Sequence, residues 1–438
     1  MNLPGSSVIR AQPWGDWLSF RSLVLIAPVL MLTLQHWIDS VAFLTSIAAM
    51  VWLARNSGHR STTTNELQGW RRWVAWALAG PILAVGLAQC FRGEFFLGNF
   101  DPPFRLLLCA PIFLAVSAGW LHRRDASPIT AKWMAVVLPL TLVWTCCHRV
   151  IWPNVSWGPD RLTTSFVDPL TFGSLCLMFA LLSLAGLWVV KGRSRLAQAF
   201  VLVSVACGLF LSVTSGSRTG WLSLPFFALL ALYLGTRHAM SARLLVTIGL
   251  ACVLTVGVAM SVNPGLFDRL ALGFAEVTNY NWHGMNPDGS LQMRISFWRM
   301  GAFYFMHRPL EGWGDLGWQT LVNSPELMVY ASQYTREFAS HGFHSEIMTS
   351  TVRSGVWGLI SSISLFIVPL VCSLKLRELK HSPTMQTVLW FMWIFLGHQF
   401  LAGLSTEVTA LIFQASFFGL CVAVGMGEAM YCFQSRVA

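Results

Sequence analysis

The chain has 438 residues, of which 55% are hydrophobic and 11% charged, with a formal net charge of +10. So few charges on so apolar a chain exclude an ordinary soluble globule. The positive charge lies mostly in loops between apolar runs, so it reads as a membrane-topology signal and carries no implication of nucleic acid.

Apolar runs of about 15–22 residues recur from end to end, close to what a bilayer core requires. Twelve are predicted, at 22–37, 39–54, 73–91, 102–121, 133–151, 169–190, 196–213, 220–235, 244–262, 355–374, 384–402 and 408–430. Several contain Pro or Gly, which membrane helices tolerate. The first two are short enough to form a tight hairpin. Basic residues precede the first run, but no small-residue cleavage site follows it, so a retained helix is expected there. The expected fold class is therefore an all-α polytopic membrane protein with about twelve transmembrane helices. Its parts are an N-terminal bundle of about nine helices over 1–262, a large loop over 263–354, and about three helices over 355–438. Together they make a single integral membrane domain.

Alternate loops hold Arg55, Arg60, Arg71 and Arg72, then Arg123, Arg124 and Lys132, then Lys191, Arg193 and Arg195, then Arg237 and Arg243, then Lys375, Arg377 and Lys380. All four lysines of the chain fall in this set. Both termini fall on the same side, which the positive-inside rule assigns to the cytoplasm. The other side holds eleven arginines and no lysine: Arg92, Arg105, Arg149, Arg161, Arg218, Arg269, Arg294, Arg299, Arg308, Arg336 and Arg353. All ten cysteines lie in apolar runs or near the C-terminus, with no CxxC. The 263–354 loop has none, so neither disulfides nor a structural zinc are expected to hold it.

The candidate chemistry sits on the arginine-rich side. Arg218 lies in Thr214-Ser-Gly-Ser-Arg-Thr-Gly-Trp221, a glycine-containing turn between two apolar runs. An arginine there, with free backbone N–H groups at bilayer-surface depth, suits a phosphate; the alternative is an interfacial anchor that snorkels to lipid headgroups. Within the long loop, Leu291–Met306 has apolar residues at Ile295, Trp298, Ala302 and Phe305, the 3–4 spacing of a helix; 326–338 is a weaker case. Arg294 opens the first of these, against the helix dipole, which points either to an anionic partner or to a solvated loop position. Arg299 follows about a turn later. Arg308-Pro-Leu-Glu-Gly-Trp-Gly-Asp-Leu-Gly-Trp318 is a glycine-rich turn.

His344 lies in Ser340-His-Gly-Phe-His-Ser-Glu-Ile, just before the tenth apolar run. A neutral imidazole at that depth can take a proton from a sugar hydroxyl; a capping or interfacial histidine is the alternative. His341 and His344 could pair on a metal, but only Glu346 is placed to join them, so no metal is expected. His148, Arg149, Arg161, His398 and Glu407 are weaker candidates. The tryptophans 152, 157, 282, 313 and 318 read as an aromatic belt. No phosphate-binding loop, serine elbow or paired-aspartate metal signature is present, so nucleotide-driven chemistry and cofactors are not expected.

Three pieces, in order, resemble the O-antigen ligase and polymerase superfamily of bacterial envelope enzymes, over roughly residues 205–360. They are the Ser-Gly-Ser-Arg-Thr-Gly turn, Arg294…Trp298 leading to Pro309-Leu-Glu-Gly-Trp-Gly-Asp-Leu-Gly317, and His344-Ser-Glu-Ile followed by Gly355-Val-Trp-Gly-Leu359. The resemblance implies a metal-independent, inverting glycosyl transfer at the periplasmic face of the inner membrane, on a fold similar to polytopic glycosyltransferases that use lipid-linked donors. It implies undecaprenyl-pyrophosphate-linked O-antigen as donor and, in the ligase branch, lipid A–core oligosaccharide as acceptor. The family's catalytic roles carry over to His344, Arg218 and Arg294; Arg299, His341, Arg161 and Glu346 are weaker candidates for contacts to the pyrophosphate or glycan, with the assignment of Arg299, His341 and Glu346 open. O-antigen polymerases and protein O-oligosaccharyltransferases share the donor. A transporter, the rival from another class, would place its ionisable groups at mid-membrane rather than at one surface.

Overall fold

A computed structural model describes residues 14–56, 65–122, 127–153, 161–190, 192, 194–217, 219–221, 223–227, 265–315, 317–339, 341–379 and 382–434. The elements are α1 (Trp14–Ile26), α2 (Trp37–Arg55), α3 (Asn65–Arg92), α4 (Asp101–Ser117), α5 (Ile129–Ile151), α6 (Pro169–Val189), α7 (Arg195–Thr214), α8 (Leu266–Thr278), α9 (Ser290–His307), α10 (Gln333–Ala339), α11 (Glu346–Leu379), α12 (Pro383–Gly403) and α13 (Ile412–Gln434). The described residues contain no strand. Eight of their helices are long and apolar enough to cross a bilayer. The chain is thus an all-α, multi-pass membrane protein.

Helix starts follow the local chemistry. Asp168 accepts hydrogen bonds from the N–H groups of Leu170 (2.9 Å) and Thr171 (3.0 Å), with Pro169 at the first helical position of α6. Ser382 does the same for Met385 at 3.0 Å ahead of Pro383 and α12. Helices α3 and α11 begin eight and nine residues before the expected runs 73–91 and 355–374, and two further departures have a visible local cause. Residues 27–36 form successive turns rather than a helix, so the 22–37 run spans the end of α1 and a connector; Pro28, which has no N–H to donate, lies at the break. The final helix starts at Ile412 rather than 408, because 408–411 form a bend tied to Glu346. The runs at 220–235 and 244–262 fall mostly outside the described residues.

α13 is buried along nearly its whole length and packs chiefly on α4, while α11 packs on α3 and α6 on α7. Glycines make the α13–α4 approach close: a side chain at Gly427 would strike Val116, and one at Gly419 would strike Cys109. Buried carboxylates in the bundle are all hydrogen-bonded. Glu428 accepts from the Ile129 and Thr130 N–H groups and the Thr130 hydroxyl, at 2.5, 3.1 and 2.7 Å, at the start of α5. Asp39 accepts from Ser416 at 2.6 Å.

Residues 265–345 form a helical cap on one face of the bundle, here called the loop face. The cap has its own apolar core of Phe297, Met300, Tyr304, Trp313, Trp318, Leu327, Tyr330 and Phe343, joined to the bundle through Val352 of α11. Its main helix, α9, matches the expected 291–306 closely. The weaker helical stretch resolves into a turn at Pro325–Met328 and α10.

Candidate functional site

The site is built where the cap meets α11 and the α12–α13 connection. α9 turns Arg294, Phe297 and Trp298 toward that connection: Arg294 Nε donates to the Ser405 carbonyl at 3.3 Å and Trp298 Nε1 to the Leu404 carbonyl at 3.3 Å. The Arg294 guanidinium also donates to Ser290 Oγ at 2.8 Å and to the Ser290 carbonyl at 3.2 Å, which fixes it against the first turn of its own helix.

His344 packs beside two phenyl rings that also stack on each other: its centroid is 5.5 Å from Phe297 and 5.2 Å from Phe338, all three rings near parallel and the two phenyls 6.4 Å apart. Its backbone is left-handed, φ 46°, a conformation a side chain rarely adopts without surrounding constraint. The constraint is visible. Phe343 N–H donates to Thr349 Oγ1 at 3.1 Å, Ser345 Oγ donates to the Gly403 carbonyl at 3.2 Å, and Thr349 Oγ1 donates to Glu407 Oε1 at 2.7 Å. Gly342, also at positive φ, lies so near Glu407 that a Cβ would meet the carboxylate. The imidazole is held in one orientation, and its Nδ1 is buried without a hydrogen-bond partner among the described residues. Burial lowers its pKa from the usual histidine value. Arg294 and His341 push in the same direction, and Glu407 and Asp168 oppose them.

These neighbours show what the structure brings together: His344, Arg294, His341, Glu407 and Asp168. Asp168 was absent from the sequence candidates, since Asp-Pro ahead of an apolar run reads as a helix cap, which it also is. Glu407 ranked only as a weak candidate, yet it braces the histidine loop. His341 lies on the exposed rim.

Arg218 itself lies outside the described residues. The residues on either side of it belong to a turn that packs on the start of α6. Ser217 Oγ donates to the Leu170 carbonyl at 3.3 Å, and a Cβ at Gly173 would strike Ser215 and Ser217. Arg161 is exposed, one residue from Leu162, whose N–H donates to the Thr214 carbonyl at 3.0 Å. His398, fully buried in α12, bridges Ser174 of α6 and Ser223 at 3.0 Å each and touches Gly220, so it braces the same turn from within the bundle.

Two further candidates are engaged elsewhere. Arg299 points away from Arg294, its guanidinium 3.8 Å over the Tyr330 ring and within 3.2 Å of the Tyr280 hydroxyl. Glu346 accepts from the N–H groups of Val408 (2.9 Å) and Thr409 (3.0 Å) and from the Thr409 hydroxyl, so it caps the bend that leads into α13. Glu346→Ala leaves those buried donors orphaned, each worth about 1–3 kcal/mol. The expected result is a lower thermal unfolding midpoint in detergent with donor-analogue binding retained; an unchanged midpoint would remove the capping role.

The glycine-rich segment has a structural purpose. α11 breaks at Ser354 and Gly355, where Gly355 has φ 59°. The Pro309 carbonyl enters the break and accepts from Val356 N–H at 2.7 Å; Trp313 and Gly314 N–H donate to the Val352 and Arg353 carbonyls at 2.9 and 3.0 Å. A Cβ at Gly312 or Gly355 would collide with this backbone-to-backbone contact. Arg92, at the end of α3, donates to the Glu311 and Arg353 carbonyls at 2.5 and 3.2 Å, and Arg353 pairs with Asp315 at 2.7 Å.

Among the described residues no three His, Cys, Asp or Glu side chains converge as metal ligands would. The charge that gathers near His344 is instead guanidinium and carboxylate.

Residues 203–363, which include α9, His344 and the break in α11, match the family model described as O-antigen ligase. Over this segment the chain is similar to the O-antigen ligase superfamily. The matched O-antigen ligase segment ends inside α11 and includes the Arg218 turn, Arg294, the glycine-rich loop and His344. An uncharacterized protein of Haemophilus influenzae is 22% identical over 281 residues, covering 63% of this chain and 66% of that relative. The match thus spans about two thirds of the relative's length.

Proposed function

We propose that this protein transfers an O-antigen glycan from undecaprenyl pyrophosphate to a hydroxyl of lipid A–core oligosaccharide at the periplasmic face of the inner membrane. One observation carries the reading. Within the segment that matches the O-antigen ligase model, a half-buried imidazole of lowered pKa, its Nδ1 buried and unpartnered, lies near Arg294 on one surface of a multi-pass bundle. A lowered pKa keeps the ring neutral, as a general base requires, and the unpartnered nitrogen offers a hydrogen-bond position that an acceptor hydroxyl can take.

In the proposed reaction His344 removes the acceptor proton as the hydroxyl oxygen attacks the anomeric carbon. The bond from that carbon to the pyrophosphate oxygen breaks on the opposite face, so a single displacement inverts the anomeric centre. The leaving pyrophosphate gains negative charge, which Arg294 and Arg218 stabilise. Glu407 and Asp168 are suited to favour the imidazolium that forms as the proton arrives. The hydrogen bonds that fix the 343–349 backbone, with Phe297 and Phe338 packed beside the ring, limit the orientational freedom lost in the step.

The test is transfer by purified protein from undecaprenyl-pyrophosphate glycan to rough lipopolysaccharide in EDTA. Laddered product at full rate is expected. Activity that vanishes in EDTA and returns with magnesium or manganese would refute the arginine-based reading of charge stabilisation. Products lengthened only on the undecaprenyl carrier would make the protein a polymerase.

A further inference from the structure

The His344 site occupies one side of the α11 start. On the other side a cleft of about 210 Å³ opens between α3, α4 and α11, under the glycine-rich loop. Its upper walls are polar: Arg92, Asn99, Asp315 and Arg353, with Ser350 and Ser354 below them. Two more serines of α11, Ser361 and Ser362, continue this wall into the membrane span. Ala84 and Ser361 also line a second, apolar groove, flanked by Trp73, Trp76, Leu83, Trp357 and Ile360. Trp73, Trp76 and Ile360 are more than half exposed on the side of the bundle that faces lipid. From Leu87 to Trp73 the groove follows α3 for about 21 Å at ~1.5 Å per residue, more than the thickness of one leaflet's hydrocarbon.

A polar chamber joined to a chain-length apolar groove is the shape of a lipid with its head in protein and a tail in the bundle wall. The charges say which kind of head. Arg353 is paired with Asp315 at 2.7 Å, and Arg92 lies 4.0 Å from the Glu94 carboxylate while its N–H groups are spent on two backbone carbonyls, so neither guanidinium presents the uncompensated charge a pyrophosphate seeks. What the walls offer instead is a neutralised ion pair, an amide and a run of hydroxyls, the partners of a sugar. The Trp357 indole N–H, on the groove wall where head passes to tail, is buried with no acceptor among the described residues. An acyl-ester or amide carbonyl at that depth would satisfy it. The floor of the chamber includes Glu346 and Thr409, each two residues from a member of the catalytic cluster, His344 and Glu407 respectively.

We infer that the α3–α4–α11 cleft binds a saccharide-headed membrane lipid, the acceptor, with one hydrocarbon chain in the Trp73–Trp357 groove. This rests on the transfer reaction proposed above and gives donor and acceptor separate approaches to His344.

The test places p-benzoylphenylalanine at Ile360 in the full chain, in phosphatidylethanolamine nanodiscs. These carry equimolar labelled rough lipopolysaccharide, undecaprenyl pyrophosphate or a tracer phospholipid. Adducts to lipopolysaccharide should exceed the other two about ten-fold. Equal labelling of all three would reduce the groove to a bulk-lipid contact and overturn the inference. Preferential labelling by undecaprenyl pyrophosphate would overturn it too, by making the groove the donor's entrance. Ala84→Phe, which fills the junction of chamber and groove, should raise the acceptor KM without changing donor binding. Because labelling reads binding alone, selective lipopolysaccharide adducts without transfer would sink the proposed reaction and leave the site standing. Transfer without selective adducts would do the reverse.

Discussion

His344→Ala is expected to lower transfer by about 10²–10⁴-fold, the usual contribution of a positioned general base, while donor-analogue binding stays near wild type. In the proposed reaction the ring acts on the acceptor hydroxyl, so its loss should fall on turnover. Folding should survive: the site is half-buried at the cap and outside the membrane core, although Phe297 and Phe338 lose their stacking partner. The pH profile gives a second, independent reading. Burial depresses the His344 pKa, and the proposed base acts in its neutral form. Activity should therefore hold as pH falls through about 6.5, the ordinary histidine value, and decline only below it. Glu407→Gln removes an influence that raises this pKa, so it should move the acid limb lower still. The measurements are lipopolysaccharide ladder formation in a ligase-null strain, expression level, and kcat/KM against pH. A well-expressed His344→Ala protein with a normal ladder would end the assignment and send the search to His341.

The features of this chain that obey a period were legible before any coordinates. α9 was visible because its apolar residues recur at three and four, and the fold class because apolar runs of bilayer length repeat along the chain. Roles that depend on what a side chain meets were less visible. Glu346 stands two residues from His344 and has the charge of a catalytic group, yet its oxygens are taken by the 408–409 backbone, 62 and 63 residues away in sequence. Arg299 follows Arg294 by five positions, which is about 140° around a helix of 3.6 residues per turn, so nearness in sequence put it on another face. Asp168 is 176 positions before His344, and nothing local marks it as more than a cap. The glycine-rich 309–317 segment read as a turn. What it does could not be read without the break in α11 that it fills.

The second large effect is expected at the arginines. Arg294→Ala should both weaken donor binding and reduce turnover, by about 10²–10³-fold in kcat, the scale of losing one fixed donor to developing charge. In the proposed reaction the guanidinium meets the pyrophosphate in the ground state and holds it more strongly as the anomeric bond breaks, so KM and kcat should move together, unlike the His344 variant. Arg218→Ala should behave alike, on the chemistry of its glycine-flanked turn. Arg294→Lys should rescue poorly. An ammonium keeps the charge but loses the planar fork, and its shorter reach sacrifices the contacts that hold Arg294 to Ser290 and Ser405. One signature separates a role at the reacting centre from a merely structural one. Arg294 is among the charges that depress the His344 pKa, so its removal should raise the acid limb of the residual activity toward the ordinary histidine range, opposite in sign to Glu407→Gln. Residual activity of Arg294→Ala with an unmoved acid limb, or a loss confined to protein yield, would place Arg294 in the scaffold of the cap rather than beside the reacting bond.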